Sequence, residues 1–181
     1  MGGDEPLRLF LGLCIPDGWG RELAAWQARE LAGGGRLVPL GNLHVTLAFL
    51  GTRPGRELPA IVAALDAAVV RAERPRLEVA RYRETRSAGM LVLGDEGGRA
   101  TALATDVQTR LEELGVYRRE SRPWLPHVTV VRYRRPPRLR PPLPSIGTLV
   151  PSDAAAYLSR LHPSGARYEV LRLCSLPEMR R

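Results

Sequence analysis

Apolar and polar positions alternate along the chain in two distinct rhythms. Leu7 to Ile15 (LRLFLGLCI) is a nearly unbroken apolar run stopped by Pro16, the mark of a buried strand. After it, Trp19, Leu23 and Trp26 recur at helical spacing, with Asp17 as a candidate cap and Gly33–Gly35 as the stop. Leu43 to Leu50 reads as a second strand closed by Gly51. Leu58, Ile61, Val62, Leu65 and Val69 mark a second amphipathic helix. Leu77 to Tyr82 and Met90 to Leu93 are candidate strands, and Gly94–Gly98 (GDEGG) is a turn or loop after them. Leu103, Val107, Leu111 and Leu114 mark a third helix, ended by Gly115. Strands are then expected at His127–Tyr133, Thr148–Val150, Ala154–Leu161 and Arg167–Leu173. His162 to Gly165 forms the turn between the last two. Three helices among about eight strands, not in strict alternation, predict an α+β fold.

One stretch breaks both rhythms. Residues 136–144 (PPRLRPPLP) hold five prolines and cannot form a regular helix, so they are expected to be an extended surface connection. The whole chain, 181 residues, suits a single domain of two small lobes. Cys14 and Cys174 lie far apart in apolar stretches, which implies reduced, buried thiols and no disulfide framework. No apolar run is long enough to span a membrane, and the N-terminus lacks a signal-peptide pattern, so a cytoplasmic protein is expected.

Three histidines are present, and two sit in the same tripeptide: His44–Val45–Thr46 and His127–Val128–Thr129. Residues two apart on a strand share a face. Each strand therefore offers one imidazole and one hydroxyl together, with valine or leucine on the opposite face. Two imidazoles facing one cleft form an acid–base pair near neutral pH. Two threonine hydroxyls beside them can hold the oxygens of a tetrahedral anion. Phosphodiester cleavage by such a set requires no metal and no cofactor. A metal site built from His44, His127 and His162 with Cys14 or Cys174 is the alternative, without the usual ligand spacing. His162, in a turn, is expected to be solvated. Trp19 and Trp26 are expected in the core, and Trp124 at a cleft wall.

The residues around these tripeptides resemble the 2H phosphoesterase superfamily, and within it the RNA 2′,3′-cyclic phosphodiesterase family, also called the 2′-5′ RNA ligase or LigT-like family. Four blocks carry the resemblance: RLFLGLCIPDG (Arg8 to Gly18), NLHVTLAFLG (Asn42 to Gly51), PWLPHVTVVR (Pro123 to Arg132) and LVPSDAAAYLSRLHPSGARYEVL (Leu149 to Leu171). They span nearly the whole chain in family order. The resemblance implies two pseudo-symmetric lobes within 1–181, with antiparallel sheets lining a central cleft and helices outside. It implies His44 as proton donor, His127 as proton acceptor, and Thr46, Thr129 and Arg132 as phosphate ligands. The implied reaction hydrolyses RNA 2′,3′-cyclic phosphate ends, tRNA-derived ends among them, to 2′-phosphomonoesters, with the enzyme a monomer. Simple alternation, however, sets Arg132 on the face opposite His127. Segment 81–93 lacks the aromatic pattern usual in the family. Cyclic phosphates of small nucleotides, 2′-5′ RNA ligation and RNA binding without turnover remain alternatives.

Charge sharpens this picture. The chain carries 27 basic residues, all arginine, against 19 acidic, for a net +8. Between Arg118 and Arg140 stand eight arginines and one acid, Glu120, so nearly all of the excess surrounds the second motif. Arg134, Arg135 and Arg138 are therefore candidates, with Trp124, for contacts to an RNA strand.

Overall fold

The computed structural model describes residues 4–178. The strands are β1 (Pro6–Cys14), β2 (Arg36–Leu37), β3 (His44–Pro54), β4 (Leu77–Glu84), β5 (Ala88–Asp95), β6 (His127–Arg132), β7 (Asp153–Arg160) and β8 (Arg167–Ser175). The helices are α1 (Asp17–Glu30), α2 (Leu58–Arg71) and α3 (Arg99–Glu113). The expected α+β class and helix count hold. Thr148–Val150 is not a strand: it makes a single bridge from Leu149 to Leu77. The two-residue β2 takes its place in the count; so short a segment has no periodicity to read. Asp17 opens α1 in its first turn instead of capping it, because Pro16 already supplies the extended residue before the helix.

Pairing runs β4-β5-β6-β3-β1-β7-β8, with β2 beside β6, and every contact is antiparallel. The expected antiparallel architecture holds, with all eight strands in one sheet of two halves. The halves meet where β3 pairs with β6 through a single residue pair, Val45 with Val128. Both valines are fully buried, as are Leu9, Leu11, Leu13 and Val130 beneath the helices. Trp19, Leu23 and Trp26 of α1, Ile61 and Leu65 of α2, and Leu103, Val107 and Leu111 of α3 complete that core. The opposite face of the sheet carries a second, smaller cluster of Phe10, Ala155 and Tyr157.

Residues 136–144 form no helix or strand, as their prolines predict. Side chains pin the segment instead. Trp26 Nε1 donates to the Pro142 carbonyl at 2.8 Å, and Trp19 Nε1 to that of Gly147 at 3.2 Å. The Glu84 carboxylate accepts the backbone N–H groups of Arg138 and Leu139 at 2.9 and 2.7 Å. Among the described residues no helix is long and apolar enough to cross a membrane.

Candidate active site

The Val45–Val128 pair sets the two tripeptides side by side in opposite directions. In that register His44 lies level with Thr129, and Thr46 with His127. The buried valines point into the core, so both histidines and both threonines emerge on the other face. Gly12, opposite Thr46 in β1, leaves room there. A Cβ on it would stand 3.0 Å from the Val45 carbonyl oxygen and 3.4 Å from His44 Cδ2.

The two imidazoles are held alike. His44 Nδ1 lies 2.8 Å from the Asn42 carbonyl, and His127 Nδ1 lies 2.8 Å from that of Leu125. A carbonyl only accepts, so each ring carries its proton on Nδ1 and keeps Nε2 for the cleft. The Thr46 hydroxyl donates to His44 Nε2 at 2.9 Å. Around His44 stand Phe10 at 4.7 Å and Tyr168 at 5.4 Å between ring centroids, with Tyr157 stacked on Phe10. Burial therefore pushes the His44 pKa down from 6.5 to about 4; the Asn42 carbonyl opposes this, and the nearby His127 and Arg132 reinforce it.

Arg132 reverses the expectation from simple alternation. β5 pairs Met90 with Thr129 but Gly89 with Val131, so Val130 is an extra residue, a bulge. The bulge shifts the side-chain phase by one and returns Arg132 to the face of His127 and Thr129, near enough to act on His44. Strand β3 does the same. Its pairing with β1 skips Leu47, which returns Phe49 to the face of Thr46. Both strands begin with the same order of burial: half-buried, buried, half-buried, buried, buried, exposed.

A buried glutamine serves each bulge, and sequence reasoning missed both. Gln27 of α1, 1% exposed, donates through Nε2 to the Val130 carbonyl at 2.7 Å and to that of Val38 at 3.1 Å. Gln108 of α3, 5% exposed, donates to the Leu47 carbonyl at 2.9 Å. The available signal was a glutamine beside the apolar stripe of a helix, Trp26–Gln27 and Val107–Gln108.

The other candidates divide. Trp124 is half-buried and donates through Nε1 to the Thr46 carbonyl at 3.0 Å. With Phe49, Thr46 and His127 it lines a cavity of about 590 Å³ beside the motifs. Arg119 and Arg122, which precede β6, also line it; Arg134, Arg135 and Arg138 do not. Those three are exposed on the chain leaving β6. The arginine-rich run thus brackets the strand that carries His127. His162 stands apart on the β7–β8 turn, with Nδ1 2.9 Å from Ser164 Oγ. Among the described residues no three His, Cys, Asp or Glu side chains converge as metal ligands would.

A family model described as the 2′-5′ RNA ligase superfamily matches residues 15–162. A Methanocaldococcus jannaschii protein named RNA 2′,3′-cyclic phosphodiesterase is 24% identical, across 92% of this chain and 99% of its own. A Thermus thermophilus protein of the same name is 32% identical, across 94% of this chain and 90% of its own. The crystal structure of E. coli LigT with 3′-AMP superposes with a TM-score of 0.81 at 22% identity, over 96% of this chain and 100% of that one.

The glutamines yield a direct expectation. Replacing either by leucine removes a buried side-chain hydrogen bond to a strand carbonyl, so Gln27→Leu and Gln108→Leu should each cost about 0.5–1.5 kcal/mol in urea denaturation. Unchanged stability in either variant would show that its bond contributes nothing to the bulge.

Proposed function

Because the chain belongs to the 2′-5′ RNA ligase superfamily, we propose that it hydrolyses 2′,3′-cyclic phosphate ends of RNA to 2′-phosphomonoesters with no metal. The observation that carries this reading is the pair of imidazoles. Both hold their proton on Nδ1, both turn Nε2 to one cleft face, and each stands beside the other motif's threonine. The names of the archaeal and Thermus relatives support the substrate class.

His127 Nε2, free of a proton, takes one from water as the water oxygen bonds to phosphorus. The P–O3′ bond breaks, and His44 gives its Nε2 proton to O3′. The phosphate stays on O2′. Thr46, Thr129 and Arg132 hold the non-bridging oxygens, whose charge grows as the ring opens. His44 needs its proton before this step, yet its burial alone keeps it neutral at pH 7. A bound phosphate supplies the missing negative charge. It offsets the Arg132 and His127 contributions and draws a proton onto His44. The exposed arginines on either side of β6 extend this attraction to the phosphates of a longer strand.

Purified protein should convert an oligonucleotide 2′,3′-cyclic phosphate to the 2′-phosphate, in EDTA as well as without it. His44→Ala and His127→Ala should each lower kcat by roughly 100- to 10,000-fold while remaining folded. Wild-type turnover in either variant, or abolition by EDTA, contradicts the mechanism. Transfer of the end to a second RNA instead of to water would identify a ligase.

The arginines make a separate expectation. The triple variant R134Q/R135Q/R138Q should flatten the slope of log affinity against log salt for an oligonucleotide by about 2. It should lose more on the oligonucleotide than on a cyclic mononucleotide. Equal loss on both substrates would remove these residues from strand binding.

A further inference from the structure

The two motif histidines are held by the same bond but not by the same kind of residue. Each imidazole donates from Nδ1 to the carbonyl two residues before it, that of Asn42 in one half and of Leu125 in the other. The leucine has no polar group to offer beyond that carbonyl. The asparagine has: its Nδ2 donates to the Ala166 carbonyl at 2.7 Å, 124 positions along the chain. Ala166 closes the turn between β7 and β8. One residue therefore touches both the His44 ring and the last hairpin of the protein.

That hairpin has little else to hold its tip. β8 is the edge strand of the sheet and pairs with β7 alone. Residues 161–164 are exposed, and within them His162 and Ser164 bond to each other. Among the described residues, the Asn42 bond is the hydrogen bond that ties this turn to another part of the protein. Two residues past Ala166, β8 sets Tyr168 edge-on against His44, at 5.4 Å between centroids and 81°. Tyr168 meets Phe10 as well, at 4.8 Å. Phe10 and Tyr157 are fixed by the sheet itself, paired across β1 and β7 and stacked at 11°. Tyr168 is thus the wall of the enclosure that stands on an edge strand, and Asn42 fastens the turn from which it hangs.

We propose that Asn42 is a positioning residue for His44: its carbonyl orients the imidazole, while its side-chain amide fastens the β7–β8 hairpin so that Tyr168 closes over the same ring. The proposal rests on the cyclic phosphodiesterase reading, in which His44 gives the proton, and adds what holds that donor in place. A ring so closed is kept from water, which agrees with burial as the largest cause of its lowered pKa. The other groups that face His44 are His127 and Arg132 from β6, Cys14 from β1, Tyr157 from β7 and Thr46 from its own strand. None of them is touched by a change at the amide of Asn42.

Nitrogen NMR of the histidine rings tests the grip without turnover. Asn42→Leu gives the first half the side chain that the second half already carries, with no change of charge. Its His44 should titrate about one pH unit or more above the wild-type position near 4, because the loosened hairpin admits water. Tyr168→Ala should do the same, and Tyr168→Phe, which keeps the ring, should titrate as the wild type does. Asn42→Leu combined with Tyr168→Ala should go no further than either alone, since both act through one contact. With adenosine 2′,3′-cyclic phosphate, Asn42→Leu should lower kcat about tenfold and leave KM nearly unchanged. A wild-type titration in Asn42→Leu, or additive shifts in the double variant, refutes the brace and leaves the phosphodiesterase standing. Should Asn42→Leu fail to fold, an unshifted His44 in Tyr168→Ala overturns the proposal by itself. The expected shifts in a protein that hydrolyses no cyclic phosphate refute the phosphodiesterase and leave the brace on His44 established.

Discussion

A single antiparallel pair, Val45 with Val128, joins the two halves of the sheet and creates the site in doing so. Both valines are fully buried, and anchoring each is worth roughly 1.5–3 kcal/mol of apolar burial. Their neighbours on either side have one option left. A strand that commits its second residue to the core must turn its first and third away from it. The packing that stabilises the sheet thus lifts two imidazoles and two hydroxyls onto the other face. The geometry of the candidate site and the packing of the core are here one constraint viewed from two sides of the sheet.

The bulges that follow are what make the nearly symmetric site unequal. Without them Phe49 and Arg132 would point into the core, where a guanidinium has no partner. An extra residue in each strand costs a ladder position. Gln27 and Gln108 brace the two bulges from different helices by donating to the Val130 and Leu47 carbonyls, the first of which also accepts from the Val38 N–H at 3.0 Å. Among the described residues the two glutamines share the class of buried polar side chains with Ser159 alone. Polar atoms in such a core are informative, because burying one without a partner is expensive.

Legibility in the sequence followed the range of the interactions involved. Strands β1, β3, β6, β7 and β8 and all three helices were readable because each is written by local periodicity. The motif residues were readable for the same reason, together with their repetition. β2 was not: two residues carry no period, and its pairing with β6 depends on chain that lies far away in sequence. The cleft face of Arg132 was hidden because a bulge is a relation between two strands, and nothing in HVTVVR alone announces it. Simple alternation in HVTLAFLG sets Phe49 opposite His44, among the core residues. Only its register with Phe10, and its place equivalent to Arg132, reveal it as a cleft residue. The arginine-rich run was visible by count, but the way β6 divides it emerges only from the fold.

In the proposed mechanism His44 is neutral until an anion binds and protonated once it has. Nitrogen NMR of protein labelled at the histidine rings reads both states directly. Without added phosphate, His44 should hold a proton on Nδ1 and none on Nε2 at pH 6, and titrate only near 4. Addition of inorganic phosphate at pH 6 should then protonate Nε2. A His44 that titrates near 6.5 in the free protein, or whose Nε2 gains no proton at saturating phosphate, would contradict it.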